Sequence, residues 1–461
     1  MGDFMRHFKY LSIYEDVKRS ILDGTYKVHS KIPSKRKLAS FYNVSVMTVD
    51  TAYQQLIAEG YLTSFERKAF YVNDIPEHRF FKQSTNRSET NLTQIEEDIS
   101  PNLNKLIYFP HQVWSKLSRK VLSDTPQFME SSVDPQGHMD LRYEIKKYLE
   151  IYRGIITSVD HIVIGSGSQA MMQVLIALIG RDYTFVMEEP GFPRLKNILR
   201  YSGIKLITIP LDSQGINANQ CQSKKPTVIH VTPSHQYPTG IVMPVARRIE
   251  LLNWANQEEH RYIIEDDYDS EFRYQGQPIP AMQSLDRNSK VIYMNTFSKS
   301  LSPAIKINYL VLPQSLIEKY QEIKQIMPCS VPLFEQKVLA EFMRDHHFER
   351  HLNRVKKIYR RKALMVLEKL KDEKNIKITG YEAGLHMIFK IDSSIDMDHF
   401  LKLVKKHHMK LIHLESFYDE KPEVCSDFMF EYSTLDDLEV MKTIETLLKM
   451  IHQSKNTHFG S

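Results

Sequence analysis

Apolar positions change their period several times along the chain, and each change marks an element. "IYEDVKRSIL" sets Ile13, Val17, Ile21 and Leu22 at helical spacing, and Gly24 in "DGTY" ends that helix. In "KIPSKRKLASFYNVS", Ser34 suits an N-cap, and Leu38, Ala39 and Tyr42 form an apolar face. A break at Asn43 and Val44 follows. Ser45 then caps a helix through "VMTVDTAYQQLIAEG", whose inner face is Val49, Ala52, Tyr53, Leu56 and Ile57. Two short helices joined by a tight turn predict a helix-turn-helix. "YLTSFERKAFYVN" switches to strand texture, Tyr61–Ser64 and Ala69–Asn73 around a charged turn, which adds a wing.

Periodicity is then lost. Asn73 to Ser100 is rich in Ser, Thr, Asn and Glu and reads as a flexible connector. From about residue 101, buried strand runs alternate with helical patterns: "HIVIGSG", "TFVMEEP", "KLITIPL", "TVIHVTP", "RYIIEDD", "VIYMNTF" and "NYLVLP". Such alternation predicts an α/β domain with a mostly parallel sheet covered by helices on both faces. The expected organisation is a DNA-binding domain over 1–73, a linker over 74–100 and a large effector domain over 101–461.

Composition narrows the class. The chain is 42% hydrophobic and 25% charged, ordinary for a globular protein. Cys221, Cys329 and Cys425 are scattered and odd in number, which argues against a disulfide framework or a zinc site, so no metal is expected. No signal-like or membrane-spanning stretch is evident, and a cytoplasmic location is the expectation. The net charge of +5 is small for the length, but residues 1–72 hold 11 Lys and Arg against 7 Asp and Glu, an excess of four. Basic charge concentrated on a helix-turn-helix points to double-stranded DNA as partner, with the second helix in the major groove.

Ligand sites in open α/β sheets lie beyond the carboxyl ends of the strands, and chemistry-bearing residues cluster there. "IGSGSQAMMQ" leaves a strand through glycines and enters a helix, so Gly167, Ser168 and Gln169 lie at its positive end, suited to a phosphate. "RYIIEDDYDSEF" ends a buried strand in acids and Tyr268, and "VIYMNTFSKSLSP" ends another in Thr296, Ser298 and Lys299. Between them come the aromatic turn "EEPGFPR" and "TPSHQYPTG". Pyridoxal phosphate needs a lysine, an acid beside its pyridine nitrogen, phosphate donors and a stacking ring. The five segments together supply those types.

Two resemblances follow. "KIPSKRKLASFYNVSVMTVDTAYQQLIAEGYL" resembles the winged helix-turn-helix of GntR-type bacterial transcription regulators. In that family the P-S-x-R and V-S-R-x-T elements touch DNA, which implicates Ser34, Lys35, Arg36, Ser45 and Thr48, with Lys68 of the wing on a phosphate. The large domain resembles fold-type I aminotransferases, and "SVDPQGHMDLRYEIKKYL", "TPSHQYPTG", "IIEDDYDSEFRY" and "NTFSKSLSPAIKINYLVLP" are similar to the effector domain of the MocR subfamily of GntR regulators. This resemblance implies pyridoxal 5′-phosphate held as a Schiff base on Lys299. Asp266 would face the pyridinium nitrogen, Tyr268 the phenolic oxygen, and Phe192 would stack on the ring. Ser168, Gln169 and Thr296 would hold the phosphate.

The chain departs from the family patterns at several positions, among them the wing turn, which lacks the usual glycine, and Ser132, where a tyrosine is often found. Val46 replaces the usual arginine of the recognition helix, and Lys306 replaces a phosphate-gripping arginine. Met429 stands where related proteins carry the arginine that clamps a substrate carboxylate, leaving Arg194 as the candidate anion contact. The expectation is a regulator that senses pyridoxal phosphate itself and controls vitamin B6 synthesis, with no catalytic turnover. The alternatives are a regulator responding to a GABA-like amino acid, or a working aminotransferase. A homodimer is expected, with winged helices that could be exchanged between subunits.

Overall fold

Val49, Ala52, Tyr53 and Leu56 recur at helical spacing and are fully buried, and around them the first unit folds. The computed structural model describes residues 2–65, 69–75, 108–124, 130–224, 226–274 and 279–455. The chain divides into two units, 1–96 and 97–461. The connector expected over 74–100 lies outside the described residues apart from Asp74 and Ile75, and Lys68 lies outside them altogether.

In the first unit, α1 (Gly2–Leu22), α2 (Lys35–Tyr42) and α3 (Val46–Ala58) pack around Ile13, Val17, Ile21, Leu38 and the inner face of α3. Leu22, expected on that apolar face, is instead 53% exposed. Successive residues on a helix lie about 100° apart, so burying Ile21 turns its neighbour outward. Strands β1 (Leu62–Phe65) and β2 (Ala69–Val72) pair antiparallel, Leu62 opposite Val72 and Phe65 opposite Ala69. The segment before α2 joins this wing, with Ile32 N–H donating to the Phe70 carbonyl.

The second unit is built on seven strands, and all seven apolar runs become them: β3 (Ile162–Gly165), β4 (Thr184–Glu189), β5 (Lys205–Pro210), β6 (Val228–Val231), β7 (Tyr262–Asp266), β8 (Val291–Thr296) and β9 (Asn308–Val311). Their order across the sheet is β3-β9-β8-β7-β6-β4-β5. Only β9 runs against its neighbours, which makes the sheet mostly parallel. Alternate residues serve opposite faces. Val163, Ile292, Met294 and Leu310 pack with α6 (Gly167–Ile179), α7 (Pro193–Tyr201) and α11 (Gln314–Ile323). Ile164, Tyr293 and Tyr309 pack with α5 (Met139–Arg153), α12 (Leu333–Arg344) and α13 (His347–Leu370).

A second sheet closes the chain: β10 (Ile376–Thr379), β11 (Met387–Ile391), β12 (Leu411–His413) and β13 (Asp427–Phe430), antiparallel in the order β10-β11-β13-β12. Helix α13 supports it with a stripe of Phe348, Leu352, Val355, Tyr359, Ala363, Val366 and Leu370, all buried at three- and four-residue spacing. No helix among the described residues is long and apolar enough to cross a membrane.

Candidate functional sites

The putting-together of the first site starts at two serines. Ser34 and Ser45 both hold extended backbone before a helix, and each side chain accepts a main-chain N–H in the first turn, from Lys37 and from Thr48. Ser45 Oγ also lies 2.8 Å from Thr48 Oγ1. These residues therefore fix where α2 and α3 begin, and at those ends positive backbone dipoles face outward. Arg36 is exposed on α2. Lys35 is half-buried: its ammonium pairs with Asp50 of α3 and lies 5.0 Å from the Phe70 ring centroid. Lys35 thus ties α2, α3 and the wing together, a role its place in the sequence motif did not reveal.

The second site is a cleft at the carboxyl ends of β6, β7 and β8. Three consecutive acids end β7, and alternation sends them apart. Glu265 accepts from the Met282 and Gln283 N–H groups at 2.7 and 2.8 Å, and burial followed by the charge of Asp267 pushes it up to about 7. Asp267 meets Arg153 Nε at 2.7 Å and accepts from the Tyr293 hydroxyl at 2.5 Å. Asp266 alone is turned to the other side and remains half-buried, with His230 Nε2 3.4 Å from its Oδ2. That imidazole nitrogen is buried and makes no hydrogen bond. The pair offers a carboxylate backed by an imidazole, and a carboxylate is the acceptor that a pyridinium N–H requires.

Lys299 lies just past β8 on the single-turn helix α10 (Phe297–Ser300) and is half-buried. Thr296 caps that turn, its Oγ1 accepting from Ser298 N–H at 3.1 Å and reaching Asn308 Oδ1 at 3.1 Å. Ser298 Oγ donates to the Ile305 carbonyl at 3.0 Å, next to the exposed Lys306. Both hydroxyls shape the lysine's turn. Gly167 opens α6 with φ +79°, and Ser166 before it makes no side-chain cap. The first N–H groups of α6, with half-buried Ser168 and exposed Gln169, therefore keep the polarity of an anion cradle. Arg194 is exposed at the start of α7.

The remaining wall is aromatic. Tyr237 makes edge-on contacts with Phe192, Tyr268, Phe417 and His386 at centroid distances of 5.4 to 5.7 Å. Tyr268 Oη is 3.2 Å from His235 Nδ1, which is 2.9 Å from Asp269 Oδ2. His235 is packed so closely that a Cβ on Gly384 would lie 2.1 Å from its Cε1. The small sheet contributes Ile388, Met429 and Ile412, which are paired in register. Met429 is fully buried and packs with Tyr237, Ile388, Leu414 and Phe417. Continuing that register brings His386 opposite Glu431. Burial, then the charge of His235 and that of Lys299, holds His386 well below the usual imidazole range. Burial raises Glu431, and the Lys299 ammonium opposes that rise. The Lys299 ammonium therefore acts on both His386 and Glu431.

Several of these residues were not picked out from sequence. His230 is a polar residue inside the apolar run "TVIHVTP", a signal that could have been read, and His235 and Tyr237 lie in a segment noted only as a whole. His386 and Glu431 reach the cleft through a strand pairing that carries no local signature.

Comparison with known proteins accounts for both units. Residues 9–72 match the model for bacterial regulatory proteins of the gntR family, and residues 103–424 match that for class I and II aminotransferases. The chain is 33% identical to the HTH-type transcriptional regulator YdeL of Bacillus subtilis, over 90% of each protein. It is 29% identical to the probable rhizopine catabolism regulatory protein MocR of Rhizobium meliloti, over 83% of this chain and 82% of that protein. It is 28% identical to the pyridoxine biosynthesis transcriptional regulator PdxR of Corynebacterium glutamicum, over 83% of each. Among solved structures, a kynurenine aminotransferase of Pyrococcus horikoshii superposes with a TM-score of 0.66 at 26% identity, covering 75% of this chain and 88% of that one. The fold is that of pyridoxal phosphate-dependent aminotransferases, and pyridoxal phosphate is the cofactor it implies.

Proposed function

We propose that this chain, which belongs to the MocR subfamily of GntR-type DNA-binding transcription regulators, senses pyridoxal 5′-phosphate through Lys299 and controls genes of vitamin B6 synthesis. Bound pyridoxal phosphate supplies an aldehyde that condenses with a primary amine. The chain supplies everything around that event. Lys299 Nζ would offer the amine, and Asp266, with His230 behind it, would accept from the protonated ring nitrogen. Tyr268, anchored by His235 and Asp269, directs its hydroxyl to the ring's oxygen side, and Phe192 covers a face of the ring. The α6 N-terminus with Ser168 and Gln169 receives the phosphate, with Thr296, Ser298 and Lys306 flanking it. Occupancy then shifts the population of arrangements open to a homodimer and so the presentation of its winged helices.

The observation that carries this reading is the wall supplied by the small sheet. A regulator responding to an amino acid needs a cation there for the carboxylate, and this chain presents buried Met429 and Ile388 and half-buried Ile412, with Glu431 beyond them. A carboxylate placed on that wall has no bidentate partner. The name of the Corynebacterium relative adds support for the cofactor as effector.

The test is capture followed by DNA binding. Borohydride reduction of protein mixed with pyridoxal phosphate should leave a mass increment on the peptide holding Lys299, absent in Lys299→Ala. Gel shifts with fragments upstream of B6 synthesis genes should change with pyridoxal phosphate for wild type only. An equal response from Lys299→Ala sinks the proposal. A shift of the bound cofactor's visible band on adding GABA would instead favour the amino-acid-responsive reading, and sustained keto-acid formation an aminotransferase.

A further inference from the structure

Helix α3, the one expected in the major groove, contains no Lys, Arg or His. Its single charged residue, Asp50, is paired with Lys35. With Val49, Ala52, Tyr53 and Leu56 buried, the outward side consists of Val46 at 45% exposure and Met47 at 74%, then Thr51 and Gln54. Met47, Thr51 and Gln54 recur at four- and three-residue spacing and so form one stripe. Thr51 Oγ1 is turned back onto the Met47 carbonyl at 3.1 Å, which leaves the Thr51 methyl as part of the outward surface. Of this unit's exposed cations, Lys31, Arg36 and Lys37 lie at and before α2.

These two surfaces have different chemistry. Lys31, Arg36 and Lys37 suit phosphates, which position a protein on the duplex without reading it. The α3 stripe cannot make the forked cationic contact to guanine O6 and N7. It can pack apolar surface on the thymine 5-methyl group and present an amide to the adenine edge. Two apolar side chains this exposed at the start of a soluble helix, where a recognition helix approaches the bases, have a use if methyl groups cover them.

We propose that α3 reads its operator through thymine methyl groups, Val46 and Met47 packing on them and Gln54 addressing a neighbouring adenine. The inference rests on the DNA-binding role of the first unit and is independent of the cofactor. Half-sites opposite α3 are then rich in A·T pairs, with thymines where the helix enters the groove.

Full-length protein selecting duplexes from a random pool supplies the probe, and replacing single thymines by uracil then removes only the methyl. Each methyl in contact is worth about a fourfold change in affinity, from roughly 0.8 kcal/mol per buried carbon. Met47→Ala, at an exposed position that leaves the fold intact, should bring the thymine-to-uracil ratio close to one at its contact. Arg36→Ala should weaken thymine and uracil duplexes equally and lower the salt slope by about one. Met47→Arg should redirect selection toward guanine at that position. Selected sites that are G·C-rich opposite α3, or a thymine-to-uracil ratio unchanged in Met47→Ala, would overturn the proposal.

Discussion

The two units place their polar groups in opposite ways. Apart from the hydroxyls of Tyr14 and Tyr53, every buried charged or hydrogen-bonding side chain among the described residues lies at Gln136 or beyond, in the effector unit. The first unit's core is apolar side chains and two tyrosines, with its serines, cations and amides at helix starts and on the surface. The difference follows from what each recognises. A duplex is met from outside, so the groups that meet it must be exposed. A cofactor is enclosed, so the groups that hold it must be buried, and each buried charge then needs a partner of its own. The first unit is consequently tolerant at its contacts, while the second is stiff and sensitive to loss of single polar groups.

The strongest way to test that contrast is Arg153→Ala. Its guanidinium is 2% exposed and serves Asp267, the Ser234 hydroxyl and the Ile279 carbonyl. Losing it strands Asp267 and should cost the effector unit about 3–5 kcal/mol, read as a lower midpoint in urea, with the first unit's transition unmoved. Acid should separate the units next. His351, buried and donating to the Ser300 carbonyl, is pushed down to about 4 from 6.5 by burial. The unfolded chain therefore binds a proton between about pH 6.5 and 4 that the folded unit refuses, and stability falls as pH drops through that window, by up to about 3 kcal/mol. The lowered His386 adds to the same trend. Melting between pH 7.5 and 5 should show the loss, and His351→Gln should reduce it. Asp266→Asn should weaken cofactor retention by at least about tenfold in equilibrium dialysis, since it removes a charge opposite the ring nitrogen. The smallest effect is expected for Ser45→Ala, about 1 kcal/mol from the first unit's stability through loss of the α3 cap.

Much of the fold was legible because burial on both faces writes strands as continuous apolar runs. All seven strands of the large sheet answer to such runs, and the caps at Ser34 and Ser45 mark helix starts. What could not be read depends on direction and on distant pairing. Glu265, Asp266 and Asp267 are chemically similar neighbours, and only the pleat decides that Asp266 faces the cleft while the other two serve Met282 and Arg153. Lys35 looks like a DNA contact until Asp50 is seen beside it. The small sheet was not anticipated as a sheet, because β11 and β13 meet across a long intervening stretch, and with them His386 and Glu431.

Lys196 carries a last consequence. It lies in α7 one turn beyond Phe192, is 1% exposed, and pairs with Glu189 while donating to the Phe417 carbonyl at 3.0 Å. Phe417 belongs to the same aromatic wall as Met429. The helix bearing one side of the cleft is thus riveted to the loop bearing the other by a buried ammonium that donates to the Phe417 carbonyl and lies 3.6 Å from the Asp419 carboxylate. A gap held by such a rivet works as a gauge more than as a jaw: it admits what already fits, and anything that must spread it has first to pull a buried ammonium off its partners on the loop.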